Sequence, residues 1–492
     1  MNAPLTPAQK DRAAGALLGL ACGDALGAGY EFGPPLPDDT QVRMKGGGSF
    51  RWAPGEWTDD TSMAIPIARA VSAGRDLRDE AVLDEIVAAW AQWAKTAPDV
   101  GIQTRAILGS IGSTGPPAAA VRQAARAHHE RTGRSGGNGS LMRTAPVALA
   151  FLHDPVALAT SARAISDLTH VDTDAGDACV LWCLAIRHAV LTGGLDVRIG
   201  LDALPADRHA LWLARIEEAE TLEPADFERN GWVVHAFQGA WSSTVNRTAV
   251  TCGPEVPADE LRATLERAVR GGRDTDTVAA IAGSLVGAAH GASAVPAEWR
   301  RIVHGWPGLS AADLVRVGVL AGTGGVPDGD GWPVTPRQDY TAWPGLDVLV
   351  QHPLDPGLWL GGVGVLDHLP PEIDAVVSLC RVGTQQVPAR IADHVEFWLI
   401  DSADETLNPN LTFVLWDAAD AVAALRAEGK TVFLHCVQAS SRTPTVAALY
   451  SGRHLGVPID QVWDAVLATL PHARPNALFR EALRPRGMVY EL

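Results

Sequence analysis

Cationic side chains are scarce in this 492-residue chain: 40 Lys and Arg stand against 57 Asp and Glu, for a formal net charge of -17. That balance excludes a general nucleic-acid binder, because a phosphate backbone is held by clustered Lys and Arg. An anionic substrate has to be held locally, by helix N-termini, backbone amides, a few placed arginines or bound cations. Cysteine is scarce too. The six, Cys22, Cys179, Cys183, Cys252, Cys380 and Cys436, have no framework spacing, which excludes a disulfide-built scaffold and favours a reduced, cytoplasmic setting. Cys179 and Cys183, four apart on an apolar helical stretch, read as buried packing. Long apolar runs are also missing. The first residues imitate a signal peptide, with Lys10 and Arg12 ahead of small apolar residues, but the run is short and Asp24 interrupts it. "VAAIAGSLVGAAHGASAV", from Val278, is too short and too rich in Gly, Ala and Ser to span a bilayer. No membrane association is expected.

What is present points to two domains, since the length exceeds what one hydrophobic core usually serves. From about Ala8 to Gly318 apolar residues recur at helical spacing between Gly and Pro loops. In "RDEAVLDEIVAAWAQWA", for example, Val82, Ile86, Trp90 and Trp93 share one face. "GTGGVPDGDGWPVTPR", Gly322 to Arg337, has no periodicity and reads as a linker. Beyond it short apolar runs, "AVVSLC", "EFWLI" and "TVFLH", alternate with helical patterns. The expected architecture is a multidomain chain: an all-α domain over 1–320, a Gly/Pro-rich linker over 321–340 and an α/β domain over 341–492.

In the first half, "EWTDDTSMAIPIARAV" sets Thr58, Asp59 and Asp60 just before a helix, and "GGRDTDTVAAIAGSL" does the same with Asp274, Asp276 and Thr277. Capping accounts for either cluster alone, since Thr and Asp accept from unpaired helix amides. It does not call for consecutive carboxylates, which repel one another. Two such clusters suggest a cation between them, and oxygen-only ligands select Mg²⁺ or Mn²⁺ over Zn²⁺. "SGGNGSLMRTAP", Ser135 to Pro146, is a glycine-rich turn entering a helix. Its Gly137 and Gly139 let backbone amides approach a pyrophosphate, with Asn138, Ser140 and Arg143 as further donors. His170 in "DLTHVDTDAGDA" has Asp174 four residues on, a spacing that suits a metal pair or an ordinary surface pair.

"GALLGLACGDALGAGYEF", "WTDDT", "PDVG", "GGNGSLMRTAPVAL", "DLTH" and "GGRDTDTVA" stand in the order found in ADP-ribosylglycohydrolases, which residues 8–318 resemble. The resemblance implies an all-α fold with a dinuclear Mg²⁺ site, Mn²⁺ being the alternative ion. It implies that Thr58, Asp59 and Asp60 serve one metal, that Asp274 and Thr277 serve the other, and that Asp276 bridges. It makes Glu31 and Asp99 the candidates for acid or base work, and sets His170 near the ligand rather than on the metals. The implied reaction is cleavage of a glycosidic bond at the ribose anomeric carbon through an oxocarbenium-like state.

In the second half, "HCVQASSRT" has Cys436 and Arg442 with five residues between them, after an apolar strand and before a helix with Pro444 near its first turn. Amides and a helix N-terminus around an anion would lower the Cys436 pKa, and Arg442 can fork two phosphate oxygens. Ser440 and Ser441 lie in the same loop. The segment resembles cysteine-dependent phosphatases of the dual-specificity branch across roughly Leu346 to Leu492. That resemblance implies a phosphocysteine intermediate, no metal, and Asp401 or Asp404 as general acid, with Ser441 or Thr443 assisting the leaving thiolate. The family usually has glycine where this chain has Ala439, and serine where it has Thr443. A positive φ at 439 would cost on the order of 1 kcal/mol. The combined expectation is a bifunctional hydrolase acting on an ADP-ribosylated protein or ADP-ribose-containing small molecule and on a phosphorylated protein or small molecule. The alternative is an ADP-ribosyl hydrolase with a phosphate-binding, weakly active or inactive phosphatase-like targeting domain.

Overall fold

The computed structural model describes residues 4–112, 115, 117–245 and 256–483, so Cys252 lies outside the described residues. The chain divides into two compact units. The first runs to Val326, and the second takes the chain from Pro327 together with two short segments, 256–259 among the described residues and Pro296–Arg301.

The first unit is helical: α1 (Pro7–Gly27), α2 (Asp59–Ser72), α3 (Glu80–Trp93), α4 (Ile102–Gly109), α5 (Ala118–Thr132), α6 (Ala145–Ala150), α7 (Pro155–Ser166), α8 (Thr173–Thr192), α9 (Ala206–Ala219), α10 (Val233–Val245), α11 (Asp259–Arg270), α12 (Thr275–His290) and, after α13 (Ala297–Arg300) of the second unit, α14 (Ala311–Gly322). A two-residue antiparallel pair, β1 (His304–Gly305) and β2 (Leu309–Ser310), is its small sheet. On α3 the apolar face is as the spacing predicts: Val82, Ile86, Trp90 and Trp93 are all buried, and Asp79 caps the helix by accepting from the Ala81 amide. α8 is the one helix among the described residues long and apolar enough to cross a bilayer; most of it is buried inside the unit, where it serves as a core helix.

The centre of the unit is the packing of α1 on α12. Every α1 residue from Ala13 to Gly27 is buried, so the helix is enclosed on all sides. Glycine makes this possible. A Cβ on Gly15, Gly19 or Gly23 would stand 2.1, 2.3 or 2.0 Å from the carbonyl oxygen of Gly287, Gly283 or Ala279, and one on Gly27 would stand 2.4 Å from the Asp276 amide nitrogen. The two backbones therefore touch directly, and alanine at any of these four positions would force the helices apart.

The second unit holds a five-stranded sheet built from β3 (Leu349–His352), β4 (Asp355–Gly362), β5 (Ala375–Ser378), β6 (Asp393–Glu396) and β7 (Val432–Cys436), in the order β3-β4-β7-β5-β6. β3 and β4 are antiparallel and the other pairings are parallel. Alternation along β7 sends Val432, Leu434 and Cys436 into a core shared with α15 (Leu411–Ala427), α16 (Arg442–His454), α17 (Ile459–Thr469) and α18 (Ala477–Glu481). Phe433 and Val437 go to a second cluster with Val363, Leu366 and Val376. β7 is thus covered on both faces and ends at Cys436, buried where the loop to α16 begins.

Two expectations change. The stretch read as a linker is packed from Pro327 onward: Arg381 pairs with Asp328 at 2.9 Å and lies 3.9 Å over the Trp332 ring, while Gln338 donates its amide to Gln386 and Tyr340 its hydroxyl to the Arg381 carbonyl. Gly and Pro there signalled irregular backbone, not a lack of contacts. "EFWLI", read as a strand, is strand only to Glu396; Phe397 then makes one more bond, to the Ser378 carbonyl, and the chain turns away.

Candidate active sites

In the first unit seven carboxylates gather where α1, α2 and α12 meet: Asp24, Glu31, Asp59, Asp60, Asp99, Asp274 and Asp276. Oxygens of Asp24, Asp60 and Asp276 lie within 4.8 Å of one another, as do those of Glu31, Asp274 and Asp276. Asp276 belongs to both sets. Asp24 enters the site from α1; the resemblance set it in the first motif with Gly23 and Glu31 but implied no metal or acid-base role for it. Thr58 donates its hydroxyl to Asp60 at 2.9 Å and stands 3.5 Å from Asp276, and Asp59 accepts the Gly101 amide at 3.2 Å. Thr277 bonds Asp274.

Two backbone devices hold the second set. The Phe32 amide donates to the Arg273 carbonyl at 2.6 Å and the Arg273 amide to the Gly33 carbonyl at 2.7 Å, which fastens the Glu31 loop to the segment leading into Asp274. Phe32 and Arg273 both have left-handed backbones, φ 63° and 65°, a conformation that costs a non-glycine residue on the order of 1 kcal/mol. The Thr275 hydroxyl donates to the Gly27 carbonyl at 2.9 Å, joining the end of α1 to the start of α12.

The electrostatics follow from crowding. Burial, then neighbouring carboxylates, pushes Asp59, Asp60 and Asp276 well above the ordinary carboxylate range. Burial first and Asp274 next raise Glu31 to about 9 and Asp99 to about 6. Burial raises Asp24 to about 6 against the bonds from Thr61 and Thr58. One buried oxygen of Asp60 and one of Asp276 have no hydrogen-bond partner. Seven acids and two orphaned buried oxygens, with oxygen the only donor element, fit a hard divalent cation.

The glycine-rich stretch is a 3₁₀ turn over Asn138–Ser140; α6 begins only at Ala145, so the turn does not run directly into a helix as expected. His170 lies beneath it. A Cβ on Gly137 would stand 3.3 Å from the His170 ring and one on Gly139 3.1 Å, so these glycines admit the imidazole. His170 is buried and held well below its usual pKa by burial and by Arg143. Asn138 donates to Asp274 at 2.7 Å and to the Asn230 carbonyl at 2.8 Å. Arg143 is buried over the Trp90 ring and donates to Thr169 at 2.6 Å, and Ser140 accepts from Ser166 at 3.0 Å. The structure thus turns Asn138 toward the carboxylates and engages Arg143 and Ser140 internally. Asp174 pairs with Arg208 and Arg215 rather than with His170.

The profile of the ADP-ribosylglycohydrolase family matches residues 5–323. The chain belongs to the ADP-ribosylglycohydrolase family. An ADP-ribosylarginine hydrolase, Tri1, of Pseudomonas putida (strain GB-1) is 32% identical over 60% of this chain and 75% of its own length. The ADP-ribosyl-[dinitrogen reductase] glycohydrolase of Rhodospirillum rubrum is 30% identical over 60% of this chain and 90% of its own, and the human ADP-ribosylhydrolase ARH3 is 28% identical over 59% and 89%. Among solved structures, an ADP-ribosylglycohydrolase-related protein complex is 26% identical with a TM-score of 0.44, covering 65% of this chain and 99% of that one. Human DUSP28 is 23% identical with a TM-score of 0.24, covering 27% of this chain and 89% of that one.

The second unit carries a separate cluster. Burial pushes the Cys436 thiol up, but the Arg442 guanidinium and the Thr443 and Gln438 amides more than offset it and leave the thiol below its ordinary pKa. Burial raises Cys380 to about 12 despite the opposing pull of Arg442. Among the described residues no backbone carbonyl accepts from the amides of Ala439, Ser440 or Ser441. Ala439 has φ 53°, the left-handed backbone that alanine in place of the family's glycine had put in question. Arg442 is buried, donates to the Leu399 carbonyl at 2.8 Å, and has Nε 3.8 Å from Asp401. Asn476 donates to the other Asp401 oxygen at 3.1 Å. Asp404 instead accepts from the Thr406 amide and hydroxyl and caps a one-turn 3₁₀ helix. The Ser440 carbonyl accepts the Arg474 amide, and the buried Ser441 hydroxyl has no partner.

Proposed function

We propose that the first unit is a Mg²⁺- or Mn²⁺-dependent hydrolase that removes ADP-ribose from a modified protein side chain or a small molecule. Family membership supports the glycosidic reaction; the observation that carries the metal is the pair of orphaned oxygens on Asp60 and Asp276 inside a cluster of buried acids. Thr58, Asp59 and Asp60 would hold one ion, Asp274 and Thr277 the other, with Asp276 between them. Bound there, the ions would orient ribose hydroxyls and a water and offset the charge of the acids. Glu31, protonated at neutral pH in the metal-free protein, can give a proton to the departing atom or, once ionised, take one from water. Asp99 is the second candidate for that proton. The glycine turn offers backbone amides, and neutral His170 beneath it fixes the turn's height. The arginine link is favoured as substrate because it is the bond named for the Tri1 relative. The test is release of free ADP-ribose from arginine- and serine-linked peptides with Mg²⁺, by the intact protein and by Asp276→Asn. Release that vanishes in the variant supports the reading; equal release by both overturns it.

For the second unit we infer a metal-free phosphomonoester hydrolase. Cys436 would attack phosphorus, Arg442 and the free amides would hold the phosphoryl oxygens, and Asp401 would protonate the leaving oxygen and then activate water against the phosphocysteine. The lowered thiol pKa beside Arg442 supports this. Hydrolysis of p-nitrophenyl phosphate that is lost in Cys436→Ser tests it. Phosphate binding without turnover would instead favour a targeting domain.

A further inference from the structure

We propose that Asp24 is a positioning residue for the metal-binding turn of α2, acting as a cap supplied by another helix. The inference rests on Asp60 and Asp276 being cation ligands. At the start of α2 the local residues do not cap: Thr58 occupies the N-cap position but makes no capping bond with its side chain. Asp24 does that work from α1. Its Oδ1 accepts the Thr58 amide at 2.8 Å; its Oδ2 accepts the Thr61 amide at 2.9 Å and the Thr61 hydroxyl at 2.6 Å. All three bonds go to one turn, and the carboxylate is fully buried.

The substitution of caps has a chemical result. A helix start needs acceptors for its free amides. With Asp24 supplying them, the Thr58 hydroxyl is released to Asp60 and Asp276, and one oxygen on each of those acids stays unpartnered. Had Thr58 or Asp60 capped α2 instead, its own side-chain oxygen would face a backbone amide and be lost to a cation. The glycines on either side explain how the carboxylate reaches the turn: Gly23 and Gly27 let α1 touch α12, which brings Asp24 within 4.8 Å of both Asp60 and Asp276. Supporting partners of this kind typically change metal affinity 10- to 100-fold when removed.

The experiment is Mn²⁺ binding to the metal-free full-length protein by calorimetry, with thermal unfolding of the same samples. Asp24→Asn should bind Mn²⁺ at least about 10-fold more weakly while still unfolding cooperatively. Thr61→Val, which removes one of the three bonds and keeps every carboxylate, should weaken binding by a smaller factor. Thr61 carries no ligand, so a loss there reports positioning through Asp24 rather than a lost coordination bond. If Asp24→Asn does not fold, Thr61→Val alone decides: wild-type affinity overturns the proposal. Wild-type affinity in a folded Asp24→Asn, with only a lower melting temperature, likewise overturns it. Failure of the unsubstituted protein to bind Mn²⁺ would overturn the metal reading itself, a separate result.

Discussion

Asn138 donates its amide to Asp274 Oδ2 at 2.7 Å. A residue read from sequence as a phosphate donor therefore fixes the direction of a carboxylate expected to bind metal. Asn138→Ala should weaken Mn²⁺ binding roughly 10- to 100-fold, the usual loss for such a partner, and should lower turnover at subsaturating metal more than at saturation. Calorimetry and a metal titration of ADP-ribose release check both.

Stability of the metal-free protein should fall as pH rises. The folded-state pKa values of Asp24 and Asp99 are raised to about 6 and that of Glu31 to about 9, above their ordinary carboxyl range. For acids shifted upward the stabilising contribution is full below the unfolded pKa, about 4, and is lost as pH passes through the folded values. Chelated protein should thus melt lower at pH 9 than at pH 5. Saturating Mg²⁺ should remove most of that difference, because the ions offset the charge. An unchanged profile on adding Mg²⁺ would count against the site.

Thiol reactivity should report the Arg442 field. Alkylation of Cys436 by iodoacetamide should reach its plateau at a lower pH than an ordinary thiol, and Arg442→Gln should move the midpoint upward. Mass spectrometry of the tryptic peptide distinguishes Cys436 from the other cysteines.

Ala439 should limit phosphatase turnover. Ala439→Gly relieves a left-handed alanine, on the order of 1 kcal/mol, while the freer unfolded chain gives back a similar amount. Urea midpoints should therefore stay close, and p-nitrophenyl phosphate turnover should rise. In the same assay Asp401→Asn should cut kcat about 10²-fold or more, whereas Asp404→Asn, which loses only a local cap, should leave it nearly intact.

Much of this was legible in the chain. The helical periods of α3, the change of texture beyond residue 340 and the ordered motifs carried the fold class, because burial of one face imposes a period on sequence. The carboxylates at Asp59, Asp60, Asp274 and Asp276 announced themselves by adjacency. What sequence could not display was which partner each polar atom takes. Asp24 stood in a motif, but nothing in the sequence showed that it would accept from Thr58 and Thr61. Arg143 looked like a phosphate donor until Trp90 and Thr169 enclosed it. The packing of 327–340 was hidden for a related reason: Gly and Pro encode turns, and turns say nothing about what lies beneath them.

The contact of α1 with α12 removes the usual slack from the carboxylate cluster. Where helices meet through side chains, rotamers can absorb a substitution and leave the backbone almost unmoved. Here peptide groups meet peptide groups at Gly15, Gly19, Gly23 and Gly27. The separation of Asp24 from Asp276 is gauged in backbone dimensions, and a single methyl group added several turns away, at Gly15, would be felt at the carboxylates as a change in spacing.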